Sequence, residues 1–64
     1  MRIQTVLQKL HETMNDYEIS RRTGIPQPNI NRIRNGKIKN PSYEIGVRIM
    51  ALYNLFEVQN TLKN

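Results

Sequence analysis

The sequence predicts an all-α fold of about five short helices, built as a single domain over residues 1–64. Apolar residues recur three and four positions apart, which is the spacing of a helix that buries one face. The alternating β-branched runs that would indicate strands do not occur. Glycine, proline and asparagine interrupt the pattern at intervals, so each helix is expected to be short.

The first helix is expected over residues 2–13, and it is followed by a capped second helix. The apolar stripe of the first helix consists of Ile3, Val6, Leu7, Leu10 and then Met14. Asn15 is suited to cap the second helix, with Glu18 three residues later completing a capping box. We expect this helix to run to about Thr23, where Gly24 supplies a left-handed residue that ends it.

A third helix is expected to begin at residues 26–28, since both prolines there are tolerated in a first turn. It buries Ile30 and Ile33, reaches Asn35 and ends at Gly36.

Residues 37–41 are predicted to form a loop, and Ser42 to cap a fourth helix. The inner side of this helix is expected to carry Tyr43, Val47, Ile49, Met50 and Tyr53. Asn54 is expected to end it. A fifth, weaker helix would hold the last apolar residues, which are Leu55, Phe56, Val58 and Leu62.

The net charge of +5 is unevenly distributed. Six basic residues and no acidic residue lie between Arg21 and Lys39. Such an asymmetric basic block indicates a polyanion as partner, because neutralising phosphates releases their condensed counterions.

The composition also argues against several classes of protein. The chain has no cysteine, so disulfides and thiolate metal sites are not expected, and His11 alone cannot form a histidine cluster. No apolar run approaches the roughly 18 residues that span a bilayer, and no signal peptide is recognisable. We therefore expect a cytoplasmic protein with no membrane association.

Residues 15–55 carry a set of features in a characteristic order. These are Ile19-Ser20, Gly24-Ile25, Ile30, Ile33, Asn35-Gly36-Lys37 and Pro41-Ser42. On these features the chain resembles the Cro/C1-type helix–turn–helix family of lambdoid phage repressors and their bacterial relatives. The resemblance implies a lambda repressor-like fold whose recognition helix, about Gln27–Asn35, enters the major groove of DNA.

The resemblance also implies which residues contact DNA. The base-reading set is Gln27, Pro28, Asn31 and Arg32. Gln27 would bond adenine, Arg32 would bond guanine with two hydrogen bonds, and Pro28 would contact a thymine methyl group. Asn31 would serve either adenine or phosphate. The alternative for all four is a solvated helix face. The expected phosphate contacts are Asn35, Lys37, Lys39, Asn40 and Tyr43.

Two charged residues depart from the family pattern. Asp16 is expected to lie near DNA, where it would either repel phosphate or neutralise the N-terminus of the second helix. Arg34 stands where the family has a glutamate that pairs with the first helix. We expect Arg34 to turn outward or to pair with Glu12 or Glu18, and Arg34→Glu to raise stability if Lys9 lies within reach.

The sequence thus predicts a transcriptional repressor, Cro-like because the chain ends soon after the motif, in a bacterial or phage-infected cell. Its partner would be a palindromic double-stranded operator, with no cofactor, metal or small-molecule ligand. Affinity would come from a weak homodimer. The dimer interface is expected at Phe56 and Val58, whereas Leu55 is expected to close the core of the monomer.

Three other functions are weaker interpretations. An antitoxin or adaptor that binds a protein partner could use the same fold, although few residues follow Phe56 to hold a partner. RNA binding is less favoured because stacking aromatics are scarce. An enzyme is not expected, since the sequence lacks a nucleophile–base constellation, paired carboxylates and a phosphate-binding glycine loop.

Overall fold

The computed structural model describes the backbone of residues 2–63 and the side chains of residues 2–59. This part of the chain is all-helical and contains no strand. Its four helices are α1 (Ile3–His11), α2 (Asp16–Thr23), α3 (Gln27–Arg34) and α4 (Tyr43–Lys63). In the same residues, no helix is both long enough and apolar enough to cross a membrane.

The helices enclose one core. Its buried side chains come from all four helices and from the turn before α3, and they are Val6, Leu7, Leu10, Ile19, Ile25, Ile30, Ile33, Ile49, Leu52 and Tyr53. Ile3, Met14, Ile38, Ile45, Met50 and Phe56 pack against this cluster. The stripe predicted for α1 and the two isoleucines predicted for α3 therefore lie where the helical spacing indicated.

The predicted caps of α2 and α4 are present. The Asn15 side chain accepts a hydrogen bond from the Glu18 N–H at 2.8 Å, and Ser42 accepts one from the Ile45 N–H at 3.3 Å. The Glu18 carboxylate does not complete the capping box, because it accepts hydrogen bonds from Arg21 and Arg22 instead.

Both predicted glycine terminators adopt the left-handed conformation. Gly24 has a φ of 75° and Gly36 a φ of 82°. At the end of α3, the Lys37 N–H donates to the Arg32 carbonyl, and the Gly36 N–H donates to the Ile33 carbonyl. This is the hydrogen-bond pattern of a Schellman motif, and it turns the chain sharply into the loop that follows.

The prediction of five helices is wrong, because the fourth and fifth are one continuous helix. Asn54 does not end this helix, because an asparagine in a helix interior costs less than about 1 kcal/mol relative to alanine. Packing outweighs that preference. A continuous helix keeps Phe56 on the same face as Ile49 and Leu52, where all three contact the core.

The inner face of α4 also differs from the prediction. Ile49 and Tyr53 are buried and Met50 is partly buried, but Tyr43 is 88% exposed and Val47 is 47% exposed. Leu55, expected in the core, is 62% exposed. Residues on a helix advance about 100° each, so a face centred on Ile45, Ile49 and Leu52 leaves these three side chains outside.

Gly36, which follows α3, and Gly46, which lies within α4, give opposite predictions for substitution by alanine. Gly46→Ala is expected to raise the free energy of unfolding by about 0.5–1 kcal/mol, because Gly46 is helical and nothing lies within 4 Å of an added Cβ. Gly36→Ala is expected to lower it by about 1–2 kcal/mol, since a Cβ there also meets open space but φ is left-handed. Urea denaturation followed by circular dichroism measures both, and equal signs would contradict the backbone geometry.

Candidate nucleic-acid interface

The residues predicted to contact DNA all lie on the exposed surface. They occupy α3, the loop after it and the first residue of α4, and they are Gln27, Pro28, Asn31, Arg32, Asn35, Lys37, Lys39, Asn40 and Tyr43. Lys39, Asn40 and Tyr43 line one open groove between α1 and α4, which Arg2 also lines. The sequence-predicted set is thus accessible to a large ligand.

The connection between α2 and α3 is held by side-chain hydroxyl groups. Ser20 donates to the Ile25 carbonyl at 2.5 Å. Thr23 donates to the Ile19 carbonyl at 2.8 Å and accepts from the Ile25 N–H at 3.3 Å. Ser20 is a small residue on α2, and its hydroxyl group therefore fixes the chain just before α3 begins.

The loop after α3 is tied to α1. The Gln4 side-chain amide donates to the Ile38 carbonyl at 3.2 Å and to the Lys39 carbonyl at 3.1 Å. Ile38 also packs against the core. Because of these contacts, the exposed side chains of Lys37 and Lys39 project from an anchored backbone.

Arg34 is paired with Asp16, and the expectations that it turns outward or meets Glu12 or Glu18 are wrong. Arg34 Nη2 lies 3.0 Å from Asp16 Oδ2, and Arg34 Nε lies 3.3 Å from Asp16 Oδ1. Only 22% and 13% of the two side chains are exposed. Asp16 is the first residue of α2 and Arg34 the last of α3, so each charge also suits the dipole of its own helix end.

His11 also approaches Asp16, with 3.5 Å between His11 Nε2 and Asp16 Oδ1. Partial burial alone would raise the pKa of Asp16. Hydrogen bonds from Arg34 and Asn31 and the positive charges of Arg34 and His11 outweigh it, so the pKa of Asp16 lies below its ordinary value. The carboxylate is therefore ionised at neutral pH.

Asn31 belongs to the same network. Its Nδ2 donates to Asp16 Oδ2 at 3.4 Å, and its Oδ1 accepts from Asn35 Nδ2 at 3.1 Å. Asp16 and Asn35 thus hold the Asn31 amide from both sides. The sequence carried one signal for this network, namely an acidic residue at the start of one predicted helix and a basic residue at the end of the next.

The basic residues fall into two groups. Arg21 and Arg22 pair with Glu18, Arg48 pairs with Glu44, and Arg34 pairs with Asp16. Among the side chains that the structure describes, Arg2, Lys9, Arg32, Lys37 and Lys39 form no ion pair. Three of these five lie on α3 and the loop after it, so uncompensated positive charge concentrates there.

The residues considered for a dimer interface lie on different faces of α4. Phe56 is partly buried and packs against the core, whereas Val58 is 56% exposed. Val58 shares its face with Val47 and Leu55, nearly opposite the buried face. The side chain of Leu62 is outside the described residues.

Comparison with known proteins gives no match to a family model, to a curated protein or to a solved structure. Within the described residues, His, Asp and Glu form no group of three that could hold a metal ion. The exposed surface around α3 is therefore the candidate site on its own residues and geometry.

The Asp16–Arg34 pair reverses the expected effect of Arg34→Glu. The variant would place two carboxylates together at a largely buried position, so we expect its free energy of unfolding to fall by about 1–3 kcal/mol. Thermal denaturation at neutral pH measures the change. The double variant Asp16→Asn with Arg34→Glu removes the repulsion and should recover part of the loss. A rise in stability for Arg34→Glu alone would contradict the observed pairing.

Proposed function

We propose that this protein binds double-stranded DNA through a helix–turn–helix formed by α2 and α3, and acts as a Cro-like transcriptional repressor. The observation that carries this proposal is the exposed surface of α3 and its following loop. That surface combines side-chain amides with the unpaired cations Arg32, Lys37 and Lys39. Hydrogen-bonding groups and uncompensated positive charge together are what DNA recognition requires.

In this proposal, α3 lies in the major groove, which is wide enough to admit one helix. Gln27 at the first turn bonds adenine, and Arg32 bonds guanine O6 and N7. Pro28 contacts a thymine methyl group. The core anchors the helix from behind through Ile30 and Ile33, so its outer face is presented rigidly to the bases.

The phosphate contacts are assigned to the loop and the start of α4. Lys37 ends the Schellman motif and Lys39 lies two residues later. The Gln4 amide fixes the backbone of this segment by donating to the carbonyls of Ile38 and Lys39. Asn40 and Tyr43 line that groove beside Lys39. Such contacts position a protein on DNA without reading its sequence.

We further propose that two copies bind a palindromic operator in the cytoplasm of a bacterial or phage-infected cell. Two half-sites would lie about 34 Å apart, one turn of the duplex. The exposed face of α4 with Val47, Leu55 and Val58 supports this homodimer, because exposed apolar residues grouped on one helix face mark association surfaces. Phe56 is not assigned to this interface, because it packs against the core on the other side of α4. The same face is the observation that favours the second candidate function, an antitoxin or adaptor that binds another protein.

Arg32 and Lys37 test the division between base reading and phosphate contact. On a preferred site obtained by in vitro selection, Arg32→Ala should cost about 1–3 kcal/mol and relax the preference at one base pair per half-site. Lys37→Ala should weaken binding to all sequences alike. Binding isotherms on the selected site and on random DNA measure both. Equal losses on the two DNAs for Arg32→Ala would make Arg32 a phosphate contact.

Val58→Asp tests the dimer without disturbing the core. We expect it to leave the helical circular dichroism unchanged and to abolish cooperative binding to a two-half-site operator, because a charge enters the apolar face of both subunits. Gln59→Asp is the matched control, since it adds the same charge beside that face. Sedimentation measures the oligomeric state, and operator titration measures the cooperativity. If binding by Val58→Asp remains cooperative, the dimer interface lies elsewhere. That result would favour a different protein as the partner of this face.

A further inference from the structure

The orientation of the Asn31 amide is fixed by the chemistry of its two neighbours. An ionised carboxylate can only accept hydrogen bonds, so the group that faces Asp16 must be the amide nitrogen of Asn31. The amide oxygen then points toward the Asn35 nitrogen, which donates to it. Exchanging the two ends of the amide would turn its oxygen toward the Asp16 carboxylate and lose the hydrogen bond to it.

Asp16 is itself firmly placed. Arg34 binds both of its carboxylate oxygens, and His11 lies 3.5 Å from one of them. Only 13% of the Asp16 side chain is exposed. The acceptor that orients Asn31 is thus a rigid part of the α2–α3 contact.

The network leaves a defined pair of groups on Asn31 unused. An asparagine amide has two N–H donors and two acceptor lone pairs, and Asp16 and Asn35 take one of each. The remaining donor and acceptor belong to an exposed side chain one helical turn after Gln27. A donor beside an acceptor complements the major-groove edge of adenine, which offers N7 as acceptor and N6 as donor. Guanine and phosphate present acceptors only, so each would leave the Asn31 oxygen unmatched.

We propose that Asn31 reads an adenine in each half-site and that Asp16 and Asn35 are the positioning residues that set its amide for that base. This inference rests on the proposed function. It decides between adenine and phosphate as the partner of Asn31, and it assigns Asn35 to orienting Asn31 instead of contacting phosphate. It also gives the acidic Asp16 a role at a surface that binds a polyanion.

The test uses the DNA site that the full-length wild-type protein prefers. A set of duplexes places each of the four bases in turn at every position of that site, and binding to each duplex is measured. Asp16→Ala and Asn35→Ala should each lower the preference for adenine at one position by about three- to tenfold, while preferences elsewhere are kept. A purely structural role would instead lower affinity for all four bases alike. Because Asn35→Ala leaves the Asp16–Arg34 pair intact, it keeps the test independent of any loss of folding in Asp16→Ala.

Glu18→Ala is the matched control. It also removes one carboxylate from the first turn of α2 and changes the net charge equally, but Glu18 contacts Arg21 and Arg22 and not Asn31. It should raise affinity for all DNAs slightly and leave the adenine preference unchanged. The proposal is overturned if the preference survives Asp16→Ala and Asn35→Ala, or if Glu18→Ala removes it equally. If Asn35→Ala weakens all sequences alike, Asn35 is a phosphate contact and the proposal also fails. A wild-type protein that enriches no DNA sequence would refute the proposed function itself, and the inference with it.

Discussion

The ion pair between Asp16 and Arg34 connects the first residue of α2 to the last residue of α3. Together with the buried isoleucines of the core, it holds α3 against α2. Its partial burial makes each partner costly to remove alone, since a single charge would then remain unpaired. The same carboxylate orients Asn31. One interaction thus links the stability of the fold to the geometry of the candidate site.

The distribution of ion pairs is more informative than the net charge. Acidic residues form ion pairs with Arg21, Arg22, Arg34 and Arg48. The positive charge on the helix and loop around Arg32 and Lys37 therefore remains uncompensated. A polyanion approaching this surface would need to displace no internal partner from those side chains. This pattern explains how a chain with acidic residues in α2 still presents a basic face.

Features set by neighbouring residues were predictable from the sequence. The Asn15 cap, the Gly24 and Gly36 turns and the apolar stripe of α1 each depend on a few adjacent positions. The helix end predicted at Asn54 does not occur, because the packing of Phe56 against the core outweighs the weak preference of asparagine for helix ends. The partner of Arg34 was not predictable, since it lies 18 positions away and depends on how α2 crosses α3. The set of residues predicted to contact DNA rests on a family resemblance, and the structure places every member on the exposed surface.

The most direct test of the central claim is the salt dependence of DNA binding by the wild-type protein. If the cations around α3 contact phosphates, a plot of log affinity against log salt concentration should have a slope of about −5 or steeper for a dimer, at roughly −0.9 per phosphate. The titration runs from low to moderate salt on a duplex that contains the selected site. A slope near zero would contradict the account, because binding would then occur without the charged surface on which it is built.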